Sequence, residues 1–418
     1  MSRGVTSRNG VITGLEALLA RSSELAGRRY ALLAHGASVT ADLRPAHLAL
    51  AASGHPPAAL MAPEHGYYGV EQDMVAAAGG EDPWTGLPVV SLYGDDEGSL
   101  RPDPSAFEGL DLLVVDLQDI GSRYYTYAAT AVWAAEAAAR VGCEVWLLDR
   151  PNPLGGEVVE GNLPEPGYES FVSAFPIPVR HGLTLGEIVL LEARSESSEG
   201  GFEDALRIWS MEGWRPSMTW LETGLPWVAP SPNMPTLDIA RIYPGGCLVE
   251  ATEVSEGRGT TRPFQLTGAP GVDPVALVQR LTAAELPGVR FLPTYFRPQF
   301  QKHAGEVCGG VEILVTDAGA FRAYRTGVEL LAALREVAPE AFRWRSKPYE
   351  FVSDRAAIDL LAGGPRLRQA LEGPSSESKA ELQAWIDSWP ADEEAFRRRC
   401  AEIYLYPRQG RSAQKVQP

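Results

Sequence analysis

Long apolar runs, paired cysteines and surplus positive charge are missing from this sequence, and each absence removes a class of protein. No window reaches 18 uncharged apolar residues, so no membrane-spanning helix is expected. The amino-terminal stretch MSRGVTSRNGVITGLEALLARSSELAG has no apolar segment of signal-peptide length with a small-residue cleavage pattern behind it. The expectation is a cytoplasmic protein, not exported by the general secretory route. Cys143, Cys247, Cys308 and Cys400 are widely separated, fitting neither a zinc site nor a disulfide framework, and read as four reduced thiols. Lys and Arg number 37 against 54 Asp and Glu, a net charge of −17. Such a field repels phosphate backbones and anionic lipid surfaces, which argues against nucleic acid as a partner; a locally basic cleft can still accept an anion.

Cofactor fingerprints are missing too. A dinucleotide site needs GxGxxG after the first strand, where this chain has HGASVT, and no GxxxxGK[ST] phosphate loop occurs. The six histidines, His35, His47, His55, His65, His181 and His303, include no HExxH or other compact ligand spacing. Neither a cofactor nor a metal is expected.

What remains is a globular composition, with 45% apolar and 22% charged residues over 418 positions, enough for two domains. Apolar runs recur as YALLAH (30 to 35), AALMAP (58 to 63), PVVSLYG (88 to 94), DLLVVDLQD (111 to 119) and EVWLLDR (144 to 150). Helix-like segments lie between them, including RPAHLALAASG and the alanine-rich TYAATAVWAAEAAARVG. Strand alternating with helix predicts an α/β fold: a Rossmann-like open, mainly parallel sheet with helices on both faces. SESSEGG (195 to 201) reads as an exposed loop, WVAPSPNMP (227 to 235) as a proline-set turn and CLVEAT (247 to 252) as a further strand. After GAPGVDP the pattern changes to a helix, FLPTYFRPQF, a strand at GGVEILVTD, a helix near 325 to 337 and a charged helical tail ending in a frayed PRQGRSAQKVQP. The expected division is 1–267, the Rossmann-like catalytic domain, and 268–418, a smaller α+β domain contributing to the cleft.

Ligands in open α/β sheets bind beyond the carboxyl ends of the strands. Glu64 and His65 follow the second run, Tyr93 ends the third, Asp116, Gln118 and Asp119 end the fourth, and Asp149, Arg150 and Asn152 end the fifth. Glu64, Asp116 and Asp119 in one polar pocket would have their proton affinities pushed apart, as glycoside hydrolysis requires, although Asp after a strand also commonly caps the next helix. Asp149, beside Arg150, fits such a cap or an ion pair. His65 fits a proton carrier or a loop hydrogen bond equally. GSRYYTYAAT brings Arg123, Tyr124, Tyr125 and Tyr127 before a helix, as either a sugar-stacking surface or a buried aromatic patch. EGRGTT holds Arg258 in a glycine-rich turn able to meet a carboxylate, and a plain tight turn accounts for it as well.

PEHGYYG, SLYG, VVDLQDIGSRYYTYAAT, LLDRPNPLGG, VEGN, RHGLTLGE, SPNMPT and EVSEGRGTTRPFQLTGAP occur in that order over roughly residues 60 to 270. Together they resemble the NamZ family of exo-β-N-acetylmuramidases, glycoside hydrolase family 171. The resemblance implies a Rossmann-like domain packed on a smaller carboxy-terminal one with the cleft between them. It also implies hydrolytic release of N-acetylmuramic acid from the non-reducing ends of peptidoglycan fragments, so that the partner is a small carbohydrate. Glu64 matches the glutamate proposed as catalytic in the family, with Asp116 or Asp119 as the complementary carboxylate. His65, Tyr93, Gln118, Arg123, Tyr124, Tyr125, Tyr127, Asn233, Glu256 and Arg258 are the expected substrate-binding residues, Arg258 or Arg123 meeting the lactyl carboxylate of muramic acid. His35 departs from the asparagine usual in the family near the first strand end. A muropeptide-binding or sensor protein, and a hydrolase of another acidic amino sugar, are the alternatives.

Overall fold

The computed structural model describes residues 10–72, 75, 79–94, 96–195, 201–373 and 375–408. Most of SESSEGG and all but the first two residues of PRQGRSAQKVQP lie outside the described residues. Among the described residues ten strands form two sheets: β1 Tyr30–Ala34, β2 Ala59–Ala62, β3 Gly80–Glu81, β4 Pro88–Ser91, β5 Leu112–Asp116, β6 Glu144–Leu148, β7 Leu206–Trp209, β8 Leu266–Ala269, β9 Val289–Phe296 and β10 Cys308–Val315. The helices are α1 Gly14–Ala20, α2 Ala46–Ala52, α3 Tyr127–Arg140, α4 Leu185–Ala193, α5 Leu237–Gly246, α6 Pro274–Thr282, α7 Ala323–Val337, α8 Ala357–Ala362, α9 Arg366–Glu372 and α10 Ser375–Arg399.

The large sheet has seven strands in the order β3-β4-β2-β1-β5-β6-β7, parallel throughout except where β3 pairs with β4. Its central strands read as unbroken apolar runs because both faces are covered. Alternate residues of β1 and β5 serve opposite cores: Ala31, Leu33, Leu113 and Val115 pack on one face, Tyr30, Leu32, Leu112 and Val114 on the other. Against the first face lies α3, whose alanines let it approach so closely that only Glu136, Ala139 and Arg140 are not buried. This arrangement is the expected Rossmann-like α/β sheet with a smaller α+β unit.

The small sheet is antiparallel, in the order β8-β10-β9, with α6 and α5 packed against it and α7 packed on those two helices. CLVEAT is not a strand. It continues α5 as a helical turn at Cys247–Ala251, every residue of it buried. A short apolar run buried on all sides has no period to separate strand from helix. The chain then returns to the large sheet: the Tyr406 hydroxyl donates to Asp149 at 2.6 Å and Arg408 forks onto Glu187 at 2.8 and 2.9 Å. Asp149 also accepts from the Gly186 N–H at 2.9 Å, at the start of α4, so it serves as a helix cap rather than as Arg150's ion-pair partner. No helix among the described residues is long and apolar enough to cross a membrane.

α5 and α7 cross backbone to backbone at two glycines. A Cβ on Gly327 would stand 2.2 Å from the Gly245 carbonyl oxygen, and one on Gly245 would stand 1.9 Å from that of Ala323. Alanine at a helical glycine ordinarily gains about 1 kcal/mol. Here overpacking reverses the sign, because the obstructing atoms are backbone and cannot rotate away. Gly327→Ala should therefore destabilise the fold by about 1–3 kcal/mol, read from urea midpoints at constant slope.

Candidate active site

Pro63-Glu64-His65 leaves the carboxyl end of β2 in a tight turn, with His65 at φ +70° and Gly66 at φ +76°. A left-handed histidine is uncommon and is held here by its surroundings. Its Nδ1 donates to the Glu71 carbonyl at 3.0 Å, which leaves Nε2 as the acceptor in the neutral ring. The turn sends the Glu64 side chain toward the start of α3, where the Thr126 hydroxyl donates to Glu64 Oε2 at 2.7 Å. Thr126 occupies the N-cap position of α3 without capping it, so its hydroxyl is spent on Glu64. Helix α3, 14 residues long, directs the positive end of its dipole at this corner.

A cleft opens over Glu64, lined by residues from both halves of the chain. The first half contributes Glu64, His65, Tyr124, Tyr125 and Thr126, together with Ser231, Asn233 and Met234 of the proline-set turn. The far wall carries Tyr243 of α5, Glu250 of the helical turn, Arg258 and Phe264 of the glycine-rich loop, and the Tyr349–Glu350 pair. Asn233 Nδ2 donates to Gln72 Oε1 at 2.9 Å, tying the turn to the loop after Glu64. Tyr125 packs edge-on to Tyr127 with centroids 4.7 Å apart and to Tyr243 at 6.0 Å. Burial drives the phenols of Tyr124, Tyr125 and Tyr243 well up, keeping them neutral hydrogen-bonding groups.

Two carboxylates on the far wall differ in how they are held. Glu250 accepts from Arg258 Nη2 at 2.7 Å and from the Tyr349 hydroxyl at 2.7 Å, so both its oxygens are engaged. Glu350 accepts from the Tyr93 hydroxyl at 3.4 Å and sits at φ +48°, beside Phe351 at φ +66°. Glu256 is buried behind the cleft, held by Lys302 Nζ at 2.8 Å. Arg258 lies over the Phe264 ring, 5.1 Å from its centroid.

Of the residues singled out from sequence, Glu64, His65, Tyr124, Tyr125, Asn233 and Arg258 meet in this cleft. Asp116 does not face Glu64. Arg150 grips it with Nε at 2.5 Å and Nη2 at 2.8 Å, a buried bidentate pair that consumes both oxygens. Asp119 turns back on its own loop, accepting from the Gly121 N–H at 2.6 Å with His181 Nε2 3.6 Å away. Gln118 donates to the carbonyls of Asp119 and Pro151 at 2.7 and 2.9 Å. Arg123 is wholly given to structure: its guanidinium donates to the carbonyls of Asn162, Ile177 and Leu361 at 2.8, 2.9 and 2.9 Å, joining this loop to α8. Tyr127 lies one layer down, donating to the Pro230 carbonyl at 2.8 Å. His35 packs at a tilt on Tyr127 with ring centroids 4.9 Å apart, and burial pushes its pKa down to about 3, so it stays neutral while Nε2 accepts from the Gln118 N–H. Thr126, Ser231, Tyr243, Glu250, Tyr349 and Glu350 were not anticipated. Thr126 and Ser231 stand inside quoted motifs, whereas Glu350 has no sequence signal around it.

The chain matches the family model for the amino-terminal part of the exo-β-N-acetylmuramidase NamZ over residues 30–238 and the carboxy-terminal one over residues 241–406. It is 39% identical over 368 residues to the peptidoglycan β-N-acetylmuramidase NamZ of Bacillus subtilis, covering 88% of this chain and 85% of that protein. A crystal structure of a DUF1343 family protein from Bacteroides fragilis superposes with a TM-score of 0.82 at 32% identity, covering 96% of this chain and 100% of that one. A second DUF1343 structure from the same organism gives a TM-score of 0.68 at 25% identity, covering 95% and 99%.

Proposed function

The chain belongs to the exo-β-N-acetylmuramidase NamZ family, and from that premise we propose that it is a glycosidase releasing N-acetylmuramic acid from the non-reducing end of peptidoglycan fragments. The observation that carries the reading is Glu64. It is a buried carboxylate on a strained turn, held by Thr126 at 2.7 Å and lining a cleft of tyrosines. In this reading Glu64 either donates a proton to the glycosidic oxygen as the C1–O bond breaks or, as the base, takes one from the water that adds to C1, and a second carboxylate takes the other role. Glu350, on the wall contributed by the second half of the chain, is the complementary carboxylate in place of Asp116 or Asp119. Glu250 is less suited, because Arg258 and Tyr349 already occupy its oxygens. Tyr124, Tyr125 and Tyr243 offer ring faces and phenols to a pyranose.

Muramic acid differs from glucosamine by its lactyl carboxylate, and Arg258 is the guanidinium among the residues lining the cleft. Its planar fork suits that anion. The purified protein should release phenolate from 4-nitrophenyl β-N-acetylmuramide and leave the matching glucosaminide intact. Release from both sugars at similar rates would remove the muramic specificity. Binding of the muramide without turnover would leave a muropeptide-binding protein.

A further inference from the structure

Arg180 is a buried cation without an ion-pair partner among the described residues. It is only 8% exposed, and its guanidinium makes one hydrogen bond, from Nη2 to the Leu154 carbonyl. Burial pushes its pKa down to about 10, so it remains charged at neutral pH. Arg123 supplies the contrast within the same molecule, since three backbone carbonyls surround that buried guanidinium. Glu160 acts on Arg180 electrostatically without bonding to it: one oxygen accepts from the Arg325 N–H at 2.9 Å and the other is buried with no hydrogen-bond partner. Arg180 Nε is buried with no hydrogen-bond partner, and keeping a guanidinium dry with its donors unmet costs several kcal/mol as an order of magnitude. An anionic ligand would offset that cost.

Space for one is present. Arg180 lines a cavity of about 160 Å³ at the junction of the two halves of the chain, separate from the Glu64 cleft. Arg241 of α5 also lines it, already paired with the exposed Asp238 at 2.7 Å. The remaining wall is largely apolar, formed by Leu154, Pro216, Met218 and Phe321, and the acid on it, Glu157, is exposed to solvent. One guanidinium edge at the end of an apolar chamber matches a carboxylate on an aliphatic body better than a phosphate, whose oxygens would demand more donors than Arg180 and a half-satisfied Arg241 supply. We propose that the Arg180 cavity is a second ligand site, taking a small organic carboxylate with an aliphatic body. The inference goes beyond the glycosidase reading and does not rest on it.

Titration calorimetry of the full chain with hexanoate, hexanamide and inorganic phosphate tests the site. Hexanoate should bind, and hexanamide should bind about tenfold or more weakly, since it loses the charge-assisted hydrogen bonds. Arg180→Gln should abolish hexanoate binding. Ser217→Trp, which fills the exposed mouth without touching the buried cation, should do the same and decides the matter if Arg180→Gln does not fold. Glu64→Gln should leave hexanoate binding unchanged. The proposal is overturned if hexanoate does not bind, if hexanamide binds equally well, if phosphate binds more tightly, or if binding survives Ser217→Trp. Hexanoate binding lost in Glu64→Gln would assign the anion to the cleft and overturn it as well.

Discussion

Glu64→Gln should lower kcat for the chromogenic muramide by about 10²–10⁴, the range that a positioned acid or base contributes, while leaving the Kd for N-acetylmuramic acid within a few-fold. The amide is isosteric and its oxygen still accepts from the Thr126 hydroxyl, so the turn after β2 and the start of α3 keep their link. What the amide cannot do is hold a transferable proton. Stopped assays for kcat, paired with calorimetric binding of the free sugar, separate the two effects. A variant turning over within tenfold of the parent would move the chemistry to another carboxylate, and Glu350→Gln is then the next substitution to make. Thr126 is a positioning residue in this scheme. Thr126→Val should cost about tenfold or more in kcat with little change in KM, and Thr126→Ser should restore most of it, because a single hydroxyl-to-carboxylate hydrogen bond is at stake.

The fold and the head of the site were legible for the same physical reason. Parallel strands covered on both faces must be apolar along their whole length, so YALLA, LLVVD and EVWLL stand out, and a carboxylate just after such a strand is conspicuous. Glu64 was found that way. Asp116 gave the same signal for a different cause. Strand order puts β5 beside β6, and the arginine two residues beyond β6 closes on Asp116 rather than on its own neighbour Asp149. Which cation neutralises which acid is a property of tertiary packing, and strand-end polarity carries no trace of it. Arg123 likewise looks available beside three tyrosines, but the carbonyls of Asn162, Ile177 and Leu361 hold both its terminal nitrogens. The far wall was hidden further. Glu250 sits in a run that reads as strand and folds as helix, and Glu350 stands in a non-repeating loop whose left-handed backbone has no marker in residue type.

Arg258→Ala should act on stability and on specificity at once, and the two effects can be pulled apart. Arg258 and Glu250 are each only 7% exposed in their side chains, and the 2.7 Å contact between them is a buried ion pair. Removing one member takes the guanidinium from a buried carboxylate that keeps the Tyr349 hydroxyl, at an expected cost of about 3–5 kcal/mol in unfolding free energy. Lys302 cannot compensate, because its ammonium is already committed to Glu256 and to the carbonyls of Val249, Glu250 and Val254. Arg258→Lys keeps a cation beside Glu250 and should recover most of that loss. It does not keep the planar fork over Phe264, so the preference for muramide over glucosaminide should still fall, by about 10- to 100-fold in kcat/KM. Urea unfolding of the three proteins tests the first effect, and the ratio of kcat/KM for the two sugars tests the second. A stable Arg258→Lys protein with unchanged preference would show that Arg258 holds Glu250 in place and does not read the lactyl group.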